Sequence, residues 1–364
     1  MTEPLDRSYR IGVIAGDGIG PEVVREGLKV LDRAKSVFGF ECELVEYPWS
    51  GRHYLETGQL MPASTIDEMR ALDAIYLGAI GDPRVERGLV ERSVVLAIRL
   101  ELDLYINLRP IVLLAEEITP LKRVRAADVD MMVVRENTED VYTGGGGVMR
   151  AGTPDEIALA NMVFTRRGVE RAIRYAFDLA SGPHRRRHVT LVDKSNAIRP
   201  QEIWRRVFAE VALEYPDVAT DAVYVDAAVM YMVEDPGRFD VIVTTNLFGD
   251  IITDLGAAIQ GGLGSAASGN IHPGLVSMFE PIHGSAPDIA GKGIASPIGA
   301  ISALGMLLDY VGEGDAARAV DATVRDLVLA GRIPALNARS GLSTAQVGDM
   351  VASALESGAQ APPR

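Results

Sequence analysis

Apolar positions along the chain fall into two alternating kinds of run. Short continuous blocks are separated by longer stretches in which apolar residues recur at helical spacing. Blocks of the first kind read as strands covered on both faces, and stretches of the second as amphipathic helices laid against them. The pattern predicts strands at residues 9–14, 41–47, 74–77, 131–135, 189–192, 222–225 and 241–244. It predicts helices at 21–38, 166–180, 200–214, 251–260, 297–311 and 315–330. Strand–helix units in this order define an α/β fold. Residues 136–165 break the alternation. Thr143 and four consecutive glycines precede alternating residues there, a pattern that fits either a projecting β arm pairing with another subunit or a flexible glycine-rich segment. No internal repeat is visible. The tail from Ser357, rich in Pro, Gly and Ala, is expected to be disordered.

Composition narrows the classes. The chain has 364 residues, 48% of them hydrophobic, enough for a sizeable core and long enough for two lobes. A net charge of −14 argues against nucleic-acid binding, which uses an extended basic face. The one dense basic run, His184-Arg185-Arg186-Arg187-His188, lies between a helical and a strand pattern and reads as a solvated loop. Cys42 is the only cysteine, so no disulfide forms within the chain, which suits a reducing compartment. The leader carries Glu3 and Asp6 and does not fit a signal peptide. No apolar run reaches the roughly 18 residues of a membrane span. A soluble, cytoplasmic protein with no membrane partner is expected.

Several motifs carry chemistry. Gly16-Asp17-Gly18-Ile19-Gly20-Pro21 sits between a strand and a helix, but its spacing departs from the dinucleotide fingerprint and no acidic strand end follows at the expected distance. Its glycines allow a tight turn and close approach of a ligand. In Asn246-Leu247-Phe248-Gly249-Asp250-Ile251-Ile252-Thr253-Asp254, the two aspartates are four apart and share one helix face. They fit a hard divalent cation with oxygen ligands, with Asp226 as a third; the alternative is the ordinary preference of acids for a helix N-terminus. Arg99, Arg109 and Arg135 stand at strand ends and turns, where guanidinium forks would hold a diacid, or serve as ordinary salt-bridge residues. Lys194 follows the strand at 189–192, and lysine is scarce in this chain. Neighbouring cations would make it a usable base, and Tyr142 could supply a proton; the alternative for both is a structural role. The loop from His283 to Gly293 concentrates His, Ser and Asp among small residues, as a pyrophosphate and a ribose diol would need.

As an ordered set these segments resemble the isocitrate/isopropylmalate family of β-decarboxylating dehydrogenases. The carriers are Gly16-Asp17-Gly18-Ile19-Gly20-Pro21-Glu22, Asn107-Leu108-Arg109-Pro110, Arg135-Glu136-Asn137-Thr138-Glu139, Asn246–Ile251 and His283–Asp288. Within that family the isopropylmalate branch is matched best, on Glu91-Arg92 before Val94-Val95-Leu96 and on Ser268-Gly269-Asn270. The resemblance implies a two-domain non-Rossmann fold with a dimer arm near 136–165. Its cofactor domain would comprise residues 1–107 and 262–364, and its substrate, metal and dimerisation domain residues 108–261. It implies a homodimer with shared active sites. It also implies an NAD- and Mg²⁺- or Mn²⁺-dependent oxidative decarboxylation of a small 2-hydroxy diacid. A 3-substituted malate is expected, 3-isopropylmalate first, with D-malate, tartrate or another alkylmalate, or a non-catalytic regulatory subunit, as alternatives.

Residue by residue, Arg99, Arg109 and Arg135 match the substrate arginines, and Asp226, Asp250 and Asp254 the metal ligands. Asp226 also touches substrate and, with Lys194, reaches the site from the neighbouring subunit. Lys194 matches the base of alcohol oxidation and Tyr142 the proton donor to the enol. Val95 and Leu96, with Val94, match an apolar wall for the substrate's alkyl group. Ile19, Asn196, His283, Gly284, Ser285, Ala286, Asp288 and Ser296 match cofactor positions, and Asp288 favours NAD over NADP. Two departures stand out. Ser296 replaces the usual Asn or Asp, which predicts a weaker or water-mediated cofactor contact. Glu139-Asp140-Val141 replaces a glycine-containing sequence before Tyr142.

Overall fold

The computed structural model describes residues 7–359. In chain order its strands are β1 (Ser8–Gly16), β2 (Glu41–Glu46), β3 (Ala74–Ala79), β4 (Ile106–Val112), β5 (Asp130–Glu136), β6 (Gly146–Met149), β7 (Ile157–Ala160), β8 (His188–Asp193), β9 (Ala219–Tyr224), β10 (Val241–Thr244), β11 (Ala267–Ile271) and β12 (Ser277–Pro281). The chain divides into two compact units. One takes the described residues up to 104, 113–126 and those from 257 onward; the other takes 105–112 and 127–256.

In the first unit the strand order is β2-β1-β3-β12-β11. The first four run parallel, and β11 is antiparallel to β12. All six residues of β3 are buried, which is why that segment reads as an unbroken apolar block. The helix Gly20–Phe38 turns Val23, Val24, Val30 and Leu31 inward. In the second unit the order is β4-β5-β10-β8-β9, with β4 antiparallel to β5 and the rest parallel. The register sets Arg135 beside Thr244, so the C-terminal ends of β5 and β10 lie level. In open α/β sheets that edge is where ligands bind.

Differences from the sequence reading have local causes. The strand at 222–225 starts earlier and ends at Tyr224; Val225 already opens the helix Val225–Glu234, so Asp226 is a first-turn helix residue. The helix expected at 251–260 begins at Asn246, directly after β10 and Thr245. The helix Thr344–Ala359 has no counterpart among the predicted elements and takes in the start of the tail expected to be disordered. The rest of that tail, and the leader residues Glu3 and Asp6, lie outside the described residues.

The basic run is not solvated along its length. Arg185 is bonded to Asp240 at 2.9 Å and to Asp130 at 2.8 Å, and the Asp240 side chain is fully buried. The glycine-rich excursion forms an antiparallel hairpin, β6 with β7, in which every strand residue is exposed. No helix among the described residues is long and apolar enough to cross a membrane.

Candidate active site

The end of β5 and the helix Asn246–Ile259 assemble a cationic niche around one carboxylate. Arg135 closes the apolar part of β5, and its side chain is 2% exposed. Its Nη1 donates to Asp250 Oδ1 at 2.6 Å, and its Nε and Nη2 donate to Asn246 Oδ1 at 3.0 and 2.8 Å. Gly249 is what lets the arginine lie across the helix: a Cβ there would sit 2.6 Å from Arg135 Cβ and closer still to its Cγ. Arg109, on β4, donates to Asn107 Oδ1 at 2.7 Å and Thr253 Oγ1 at 2.5 Å, and its Nη2 lies 3.6 Å from Asp250 Oδ1. Tyr142 donates its hydroxyl to Asp250 Oδ2 at 2.9 Å, under the Arg135 guanidinium, 5.4 Å from the ring centroid. Burial first, and then the Asp250 carboxylate, raise the Tyr142 phenol above its ordinary range. Two guanidiniums therefore offset the charge of Asp250.

Asp254 lies one turn further along the same helix and is exposed. No acid stands in the first turn of that helix. The N-terminal preference of acids, which falls off within one turn, therefore does not account for the Asp250–Asp254 pair.

A second cluster surrounds Lys194, just past β8. Its Nζ donates to Asp226 Oδ1 at 2.5 Å, and that contact holds the exposed Asp226 carboxyl below its usual range. The lysine meets a carboxylate here. Its backbone N–H is fixed by Gln201 Oε1 at 2.7 Å. The neighbouring Asp193, fully buried, is held by Arg205 Nε at 2.6 Å and by the Ser195 N–H at 3.0 Å. Asn196 is exposed in the turn that follows. Among the described residues no three His, Cys, Asp or Glu side chains come together as a metal site. One chain presents the Asp250–Asp254 face and the Lys194–Asp226 pair separately.

In the other unit, Arg99 Nη2 donates to Glu280 Oε1 at 2.8 Å, and Asn270 donates to the same oxygen at 2.7 Å. Arg99 Nε is buried with no hydrogen-bond partner. Val94, Val95 and Leu96 lie on a π-helical turn, Arg92–Leu96, a conformation frequent at functional sites. The expected apolar wall is only partly presented. Val94 is 1% exposed and sunk into the core, so Val95 and Leu96 alone retain accessible surface.

The loop after β12 carries the residues expected at the cofactor. His283 Nδ1 lies 3.1 Å from the Gly284 carbonyl, while its Nε2 is buried without a partner; burial lowers the imidazole below its usual range. Space is open above Gly284 and Gly293, and Asp288 is exposed. Ser296 Oγ accepts from the Ile298 N–H at 3.4 Å. The glycine motif after β1 does something else. Gly18 has φ +58, and a Cβ there would overlap the Ser285 carbonyl, which accepts the Ile19 N–H at 2.9 Å. Gly18 thus allows close approach of the chain's own backbone, the Ile19 side chain is buried, and Gly16 and Gly18 also line a cavity with Arg52, Pro287 and Gly291.

Sequence reasoning missed the residues that hold these loops. Asp17, 4% exposed, accepts the N–H groups of Gly51 at 2.7 Å, Arg52 at 2.9 Å and Gly81 at 3.0 Å. An acid between two glycines, at a strand end, was its only signal. Asn107, Thr253 and Asn246 gave none beyond membership of their motifs.

Comparison with known proteins identifies the family. The family model for isocitrate/isopropylmalate dehydrogenase matches residues 10–351. The 3-isopropylmalate dehydrogenase of Thermobifida fusca is 49% identical over 95% of this chain and 97% of its own. That of Mycolicibacterium vanbaalenii is 51% identical over 94% and 98%. Among solved structures, isocitrate dehydrogenase from Methylococcus capsulatus superposes with a TM-score of 0.85 at 38% identity, covering 96% of this chain and 99% of that one. A single alignment thus spans both units and every motif described above, and the chain belongs to the isocitrate/isopropylmalate dehydrogenase family.

Proposed function

We propose that this protein is an NAD-dependent enzyme that oxidises and decarboxylates 3-isopropylmalate to 4-methyl-2-oxopentanoate and carbon dioxide, a step of leucine biosynthesis in the cytoplasm. The observation that carries the proposal is the convergence of Arg135, Arg109 and Tyr142 on Asp250 at one strand edge. Two cations for carboxylates and a proton donor stand 2.6, 3.6 and 2.9 Å from one oxygen ligand, the Asp250 carboxylate. The names of relatives about half identical in sequence support the substrate.

The second unit is assigned to substrate, metal and self-association, and the first to the cofactor. The donor chemistry fits a hard divalent ion, Mg²⁺ or Mn²⁺: Asp250 and Asp254 share an accessible helix face. Asp226, occupied by Lys194 within one chain, is assigned to the site of a partner subunit. When bound, the metal would supply Lewis-acid stabilisation of developing oxyanions and NAD would supply a hydride acceptor. The chain's own residues do the rest. Arg99, Arg109 and Arg135 hold the malate carboxylates. Lys194 takes the 2-hydroxyl proton. After carbon dioxide leaves, Tyr142 returns a proton to carbon, each transfer contributing roughly 10²–10⁴ in rate. Val95 and Leu96 receive the alkyl substituent, which favours it over a third carboxylate.

In the cofactor unit, the unpartnered His283 Nε2 fits an adenine edge. Asp288 fits the ribose diol and would repel a 2′-phosphate, with Gly284, Ser285 and Ala286 offering backbone groups to the diphosphate. Asn196 is assigned to the nicotinamide side. The exposed apolar residues of β6 and β7 (Val148, Met149, Ile157, Leu159) and Met230, Val233 and Ile251 on two helices support self-association. An isolated two-stranded hairpin is marginal in water.

The test is NADH absorbance with Mn²⁺ and a panel of 3-isopropylmalate, D-malate, tartrate, isocitrate and homoisocitrate. The expected result is the highest kcat/KM for 3-isopropylmalate. A higher value for another acid would replace the substrate, and no turnover of any would support the regulatory-subunit reading.

A further inference from the structure

Asp140 stands in the stretch where the family pattern carries glycine, two residues before Tyr142. Its backbone has φ +67, a left-handed conformation seldom adopted by residues other than Gly, Asn and Asp. The side chain is fully buried, yet both its oxygens are used. Oδ2 accepts the Leu247 N–H at 3.0 Å, and Oδ1 accepts the Val141 N–H at 2.9 Å. Leu247 is the second residue of the helix Asn246–Ile259, so the carboxylate caps, from a distant segment, the positive end of the helix that carries Asp250 and Asp254. One residue earlier, the Glu139 carbonyl accepts Asn246 Nδ2 at 3.2 Å. Asp140 also opens the 3₁₀ turn Asp140–Thr143, on which Tyr142 rides.

We propose that Asp140 is a positioning residue for the proton-transfer step. Its carboxylate locks the Tyr142 turn to the N-terminus of the Asp250 helix, and so sets where the Tyr142 hydroxyl stands relative to Asp250 Oδ2. A glycine would satisfy the left-handed backbone but leave the turn without this tie. The inference rests on the reading of Tyr142 as the donor that protonates carbon after decarboxylation. The bonds involved are unchanged by it: the enolate carbon gains a proton, the Tyr142 oxygen loses one, and solvent restores it.

The experiment compares Asp140→Gly, Asp140→Asn and Tyr142→Phe with the native enzyme on 3-isopropylmalate in D₂O. It reads kcat, KM and the facial selectivity of deuterium at C3 of the product. Misplacing a catalytic group by about an ångström costs on the order of 10²-fold. Asp140→Gly is therefore expected to lose on the order of 10- to 100-fold in kcat, with KM changed less than about 2-fold, and to release product deuterated on both faces. Asp140→Asn keeps an acceptor and is expected to recover part of the rate and selectivity. Asp140→Gly relieves the backbone strain, and a cooperative thermal melt confirms that it is folded. Native kcat and one-face deuteration in folded Asp140→Gly would overturn the proposal. One-face deuteration at native rate in Tyr142→Phe would instead overturn the assignment of Tyr142, which separates the two failures.

Discussion

Gly249→Ala sets two effects of opposite sign against each other. In an exposed helix the change would stabilise by about 1 kcal/mol, because alanine loses less backbone entropy than glycine. Here the added methyl would sit 2.6 Å from Arg135 Cβ and 2.9 Å from its Cδ. The arginine cannot swing away: its side chain is 2% exposed and its guanidinium is bonded to Asn246 and Asp250. Overpacking of this kind costs about 1–3 kcal/mol, and stretching a buried charge-assisted bond adds about 1.5–3 kcal/mol. Packing therefore wins over propensity, for a net loss of about 1.5–5 kcal/mol. The assays are the urea midpoint and the kinetics on 3-isopropylmalate. A lower midpoint with unchanged slope and a raised KM are expected, since the displaced guanidinium is also the one proposed to bind a substrate carboxylate. A variant more stable than the native enzyme, with native KM, would refute the reasoning, because it would show that Arg135 has room to move.

Three further outcomes follow from the same structure. Asp17→Ala strands the buried N–H groups of Gly51, Arg52 and Gly81, and should raise KM for NAD several-fold with little change in kcat; an unchanged KM would show that those loops hold themselves. Glu136 is raised by burial from 4.5 to about 7, against the donors at Thr138 and Glu139. A raised carboxyl lends stability that is complete below the unfolded value and lost as pH climbs through the folded one. Native stability relative to Glu136→Gln should thus fall by on the order of 3 kcal/mol between pH 4.5 and 8, and a pH-independent difference in urea midpoints would contradict this. Leu159→Glu, on an exposed hairpin residue, should leave monomer folding intact while shifting sedimentation toward the monomer; a native sedimentation profile would remove the hairpin from the interface.

How much of this was legible depends on where the partners of each residue lie. β3 and β10 could be read because burial on both faces writes an uninterrupted apolar block. β4 could not: Asn107, Arg109 and Pro110 interrupt it, and its polar side chains are buried only because Thr253, 144 positions away from Arg109, accepts the guanidinium. The start of the helix at Asn246 was misjudged for the same reason, since the shorter of its side-chain caps comes from Asp140, 107 positions away, at 3.0 Å, against 3.5 Å for the neighbouring Thr245 hydroxyl. Arg185 looked as solvated as the exposed His184, Arg186 and Arg187 around it because its partner Asp240 lies 55 residues away. Within the site, the types of Arg135, Tyr142, Asp250 and Lys194 were legible as chemistry. Their grouping into two separate clusters was not, because spacing along the chain carries no information about which carboxylate meets which cation.

The central claim is that a complete site draws Lys194 and Asp226 from one copy and Asp250, Asp254 and Tyr142 from another. It is tested most directly by mixing two inactive variants, Lys194→Ala and Asp250→Asn, under conditions that exchange subunits. In a mixed dimer one site carries both lesions and the other carries none. Random pairing in a two-fold assembly should restore about a quarter of native activity on 3-isopropylmalate. Mixtures as inactive as either parent, with exchange confirmed by mass, would mean that each site is built within a single chain.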